Sequence, residues 1–137
     1  MKKILIICTF ISVILSASNN YELSLYEKVL PTIFIKTPIR VFVDKEMEEL
    51  LKHSDKFKIV HTCNKSIVIL IGNNFSNLPE VCKDKPFFTT SYKSFKNDEN
   101  SFGAFYWRKG RPQIRFKKHV VDRYNLKLPY SLKKYIK

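Results

Sequence analysis

Hydrophobic and polar positions change period several times along the chain, and each change marks a predicted element. Between Glu22 and Leu30 the apolar residues Leu23, Tyr26, Val29 and Leu30 are three or four apart, which predicts an amphipathic helix stopped by Pro31. Thr32 to Ile35 and Ile39 to Val43 are β-branched and aromatic, divided by Pro38, and read as a strand with an irregular start. Asp44 can cap a helix from Lys45 to His53. Glu46, Glu48 and Glu49 suit the positive end of its dipole, so they read as a solvated helix start and not as acid–base groups. Phe57 to His61 is a short strand, and the turn Cys63-Asn64-Lys65 leads into the near-continuous apolar run Ser66 to Gly72. Such a run predicts a strand buried on both faces, as in a parallel sheet.

Further on, Leu78 to Cys82 reads as a helical turn and Pro86 to Ser91 as another strand. Phe102–Trp107 and Gln113–Phe116 flank Arg108-Lys-Gly-Arg-Pro112, which is a hairpin signal. Alternation sends Phe102, Ala104 and Tyr106 to one face and Phe105 and Trp107 to the other. Lys118 to Tyr124 and Pro129 to Ile136 are helical pieces, the second opened by proline. The whole predicts one three-layer α/β domain over residues 19–137, with a mixed, largely parallel sheet, a C-terminal β-hairpin and short terminal helices.

Residues 1–18 follow a different logic. Met1-Lys2-Lys3 is a positive start, Ile4 to Leu15 is apolar apart from Thr9 and Ser12, and Ser16-Ala17-Ser18 supplies small residues. That is the pattern of a cleavable secretory signal. Its apolar run is shorter than the roughly 20 residues of a membrane span. Cys8 lies within this run without a lipidation box, and no later stretch is long enough to cross a membrane. The expected mature protein is exported and periplasmic.

Composition adds charge: 25 Lys plus Arg against 12 Asp plus Glu, a net charge of +13, of which Lys2 and Lys3 leave with the signal. In the cytoplasm so basic a chain would suggest nucleic acid. Export turns the expectation toward anionic membrane surfaces, envelope polymers or an acidic protein face. Export also governs the cysteines. Cys63 and Cys82 are the two that remain, 19 positions apart, and an oxidising compartment favours a disulfide between them. A zinc site through His61, Cys63 and Cys82 lacks a suitable fourth ligand, and there is no Cys-x-x-Cys redox pair.

Catalytic signals are sparse. No Gly-x-Ser-x-Gly is present, His53 and His119 fall at a helix end and in a basic run, and Gly72-Asn73-Asn74 is the single remote phosphate-loop candidate. Asn64-Lys-Ser66 and Asn74-Phe-Ser76 match glycosylation acceptors, which matter only in a eukaryotic secretory pathway. Neither an enzyme nor a cofactor is expected. The distinctive chemistry lies in Trp107, Arg108, Lys109 and Arg111, where an aromatic and basic groups meet at a turn in the composition of binding hot spots.

Residues 60–136 resemble the YfiR-type family of small periplasmic regulators. The resemblance runs through Cys63-Asn-Lys-Ser-Ile-Val-Ile-Leu70, Pro86-Phe-Phe-Thr-Thr-Ser-Tyr-Lys-Ser-Phe95, Phe102-Gly-Ala-Phe105, Gly110-Arg-Pro-Gln-Ile-Arg-Phe116 and Tyr124-Asn-Leu-Lys-Leu-Pro-Tyr-Ser-Leu132. Val29-Leu30-Pro31 stands where that family has Trp-Pro. What the resemblance implies is a non-catalytic periplasmic protein, often a homodimer, that binds the outer-facing domain of an inner-membrane diguanylate cyclase or sensor and restrains it. A solute-binding or polyanion-binding protein of the envelope is the alternative expectation.

Overall fold

The computed structural model describes residues 20–65, 69–73 and 78–136. The expected signal, residues 1–18 with Cys8, lies outside the described residues, as do Ser66 of the first glycosylation acceptor and the whole of the second, 74–76. Helix α1 runs through 20–34. Its buried residues Tyr26, Val29, Leu30 and Ile33 fall at i, i+3, i+4 and i+7, so one stripe faces the core. The helix therefore does not stop at Pro31, and Thr32 to Ile35 is not a strand. Proline at that position forfeits its own donor, and the burial of Ile33 one turn after Val29 and Leu30 outweighs the loss. Thr32 Oγ1 donates to the Val29 carbonyl at 2.7 Å, which keeps its polar group within the helix. Ile35 ends α1 with φ +62°, and its N–H reaches the Pro31 carbonyl at 2.9 Å.

Six strands follow: β1 (Ile39–Val43), β2 (Phe57–Ile59), β3 (Ile69–Gly72), β4 (Phe87–Thr89), β5 (Ser101–Arg108) and β6 (Arg111–Phe116). They form one sheet in the order β2-β1-β3-β4-β5-β6, parallel throughout except for the antiparallel β5–β6 hairpin. This is the expected α/β architecture. The chain winds one way from β1 to β2 and the other way from β3 onward. Right-handed crossovers then put the connecting helices on opposite faces. Helix α2 (Lys45–Leu51), between β1 and β2, buries Met47 and Leu51 in the main core with α1 and with Val120 and Val121 of α4 (Lys118–Arg123). Helix α3 (Tyr92–Asn97), between β4 and β5, buries Phe95 against Ala104 and Tyr106 in a separate cluster.

Asp44 caps α2 as its sequence implies, with Oδ1 accepting from Met47 N at 3.0 Å, although the helix ends at Leu51 and not His53. α3 opens in a similar way, the Ser91 hydroxyl accepting from Ser94 N at 3.3 Å. Strict alternation fails in β5. Phe87 pairs with Ser101 but Phe88 with Gly103, so an extra residue sits between them. Phe102 consequently joins Phe105 on the α1 side, with its ring 5.8 Å from Phe34 and 5.6 Å from Phe88, instead of sharing a face with Ala104 and Tyr106. The C-terminal segment forms a short 3-10 helix, Tyr130–Tyr135, and Ile136 bridges to Phe116.

Candidate functional site

The hairpin turn is tighter than its sequence suggested. Arg108 pairs directly with Arg111, which leaves Lys109 and Gly110 as the whole turn, at φ +52° and +76°. Two successive positive φ values are those of a type I′ turn, which matches the twist of the strands. Arg108, Lys109 and Arg111 are exposed, and among the described residues none of them is ion-paired. Trp107, 44% exposed, stands apart from the other three. Its indole N–H donates to Glu22 Oε1 at 2.8 Å, and its ring lies 5.8 Å from Phe105 and 6.1 Å from Tyr21. It straps the start of α1 to β5 as much as it faces solvent.

Beneath that strap is a cavity of about 190 Å³ at the C-terminal ends of the parallel strands. Open α/β sheets hold ligands at this edge, where the winding direction reverses between β1 and β3. Its walls come from α1 (Glu22, Tyr26), the start of α2 (Glu46, Met47), and the ends of β3 and β4 (Asn73, Thr90). Phe105, Tyr106 and Trp107 of β5 complete them. Tyr26 is 1% exposed, and its ring packs edge-on against Phe88 and Phe105 at 5.7 and 5.9 Å. Burial, and then the carboxylates of Glu22, Asp44 and Glu46, push its phenol far above the usual tyrosine range. It is therefore a neutral hydroxyl in a locally negative setting.

Asp44 organises the rim. Besides capping α2, its Oδ2 accepts from Asn73 N at 3.0 Å, tying the end of β1 to the end of β3. Gly72, at φ +146°, makes room for that carboxylate, because a Cβ there would collide with it. The remote phosphate-loop reading of Gly72-Asn73 is thereby corrected. The Asn73 N–H is already taken by a carboxylate, and the neighbouring charges are negative. Glu46, read from sequence as a helix-start charge, also lines the cavity. The cavity escaped sequence reading because its walls are drawn from α1, α2 and the ends of three strands.

Cys63 and Cys82 form the expected disulfide, with Cα atoms 5.4 Å apart. Both are buried with Phe87 on the face away from α1, joining the turn after β2 to the turn before β4. A disulfide is compatible with an oxidising compartment. Among the described residues no helix is long and apolar enough to cross a membrane, and no group of three or more His, Cys, Asp or Glu is placed to hold a metal ion. His53, His61 and His119 are all exposed. In comparisons with known proteins, no family model, no curated protein and no solved structure matches the chain.

Proposed function

We propose that the protein is an exported, non-catalytic regulatory protein that binds the outer-facing domain of a membrane-bound signalling partner, a diguanylate cyclase or sensor kinase, and holds it inactive by occlusion. The observation that carries this reading is the chemistry of the hairpin tip. Arg108 and Arg111 are directly opposed like charges, which weaken a hairpin by roughly 0.2–1 kcal/mol. Between them a lysine occupies a left-handed position that asparagine or glycine fits better. Hairpin stability does not account for three cations there, whereas an acidic protein face does. The likeness to YfiR-type regulators points the same way.

The test is a crosslinked pull-down of the exported protein from membranes of its own host, run beside the Arg108→Glu/Arg111→Glu variant. Both side chains are exposed, so the variant is expected to keep the wild-type circular dichroism spectrum. Recovery of one stoichiometric inner-membrane cyclase or sensor, lost in the variant, is the expected result. Equal recovery by both proteins removes the tip from the reading, and recovery of lipid, polymer or nothing rejects the reading itself.

A second reading, a small-ligand-binding protein of the envelope, is favoured by one specific observation. That observation is the partly open cavity, with aromatic residues in its walls, at the sheet edge where such folds hold ligands.

A further inference from the structure

The lining of this cavity is at odds with the rest of the chain. The sequence carries 25 Lys plus Arg, yet none of the cavity's described lining residues is Lys, Arg or His. Two of them, Glu22 and Glu46, are carboxylates from different helices, and neither forms an ion pair among the described residues. Four more are aromatic: Tyr26, Phe105, Tyr106 and Trp107. Aromatic faces carry the negative lobe of the ring quadrupole and attract cations, most strongly where water is excluded.

Tyr26 adds an independent sign that something polar belongs there. Its side chain is buried, it lines the cavity, and its hydroxyl has no hydrogen-bond partner among the described residues. That hydroxyl opens to the cavity instead of being sealed in the core, since Ser101 Oγ is the buried side-chain polar atom without a partner among the described residues, so a polar occupant can bond it in place of water. At about 190 Å³ the space is below the ~300–1,000 Å³ of drug-sized sites, so the occupant is small.

We propose that the cavity binds a small organic ammonium ion, its charge balanced by Glu22 and Glu46 and its alkyl part set against Tyr26, Phe105 and Trp107. This assignment rests on the small-ligand reading above and gives it a ligand class. An inorganic anion is disfavoured by the carboxylates.

Trp107 is the sole tryptophan and stands in the cavity wall, so its emission reports occupancy directly. The experiment titrates the exported protein with choline, with ethanolamine and with 3,3-dimethylbutan-1-ol, the uncharged isostere of choline, at constant ionic strength. At least one of the two cations is expected to give a saturable change in Trp107 emission and a raised melting temperature. The alcohol should bind at least about tenfold more weakly, and Glu46→Gln should weaken the cation by a similar factor. The comparison of cation with alcohol uses the wild-type protein and decides the matter even if the variant folds poorly. Equal binding of the alcohol overturns the ammonium assignment and leaves the small-ligand reading standing. No response to any of the three also overturns the assignment, and a metabolite screen on the same emission then decides the broader reading. A neutral or anionic hit keeps that reading, and a blank screen removes it.

Discussion

A methyl group at residue 72 has nowhere to go. Gly72 lies in backbone space that side chains avoid, and the Asp44 carboxylate already fills the position of a Cβ. Asp44 in turn holds two backbone N–H groups, one at the start of α2 and one just after β3. Gly72→Ala is therefore expected to lower stability by about 2–4 kcal/mol, combining a glycine-only backbone with a disturbed helix cap. Urea denaturation would measure it, and a loss under about 1 kcal/mol would show that Asp44 can move without consequence. Tyr26 gives a prediction in pH. Its phenol ionises near 10 in the unfolded chain and far higher in the folded one. The unfolded state thus releases a proton that the folded state keeps, and stability present below about pH 10 is lost as pH rises toward the folded value. Above pH 10 the stability of Tyr26→Phe should fall less steeply than that of the wild type, by up to about 1.4 kcal/mol per pH unit. Parallel slopes in the two proteins would mean that the hydroxyl is not sequestered.

Among the elements, those announced by nearby residues were legible and those decided by distant contacts were not. β1 lies where its β-branched run placed it, Asp44 caps α2, and the aromatic strands around Gly110 form the hairpin. The continuation of α1 past Pro31 depends on Ile33 finding the core, which no local propensity encodes. α3 is six residues long and has Phe95 as its one buried residue, too little for a period to emerge. The bulge that turns Phe102 toward α1 follows from pairing with β4, and alternation within β5 alone cannot show it. The tip residues Arg108, Lys109 and Arg111 were legible because a hairpin exposes its turn whatever surrounds it. Cys63 and Cys82 were legible through their number and spacing, and their bridge pins two short 3-10 turns to each other. Replacing both by serine should lower stability by ~3 kcal/mol, the loop-closure contribution for a 19-residue separation. An unchanged urea midpoint in the serine variant would place the stability of those turns in the Phe87 cluster instead.

At the scale of the whole molecule, two opposite electrostatic characters meet at the C-terminal end of β5. The turn carries an uncompensated cationic tip, while the sheet edge beside it encloses carboxylates and aromatics, with Trp107 belonging to both. An occupant of the cavity would therefore press on the residue next to the tip. The outer borders of the sheet have a consequence of their own. On one side β2 offers only three residues; on the other, β6 carries Pro112, which has no donor, between the positive charges of Arg111 and Arg115. A border so short at one side and so charged at the other gives a neighbouring chain no template to extend. Such a chain can be crowded to high concentration without its sheets zipping together into fibrils.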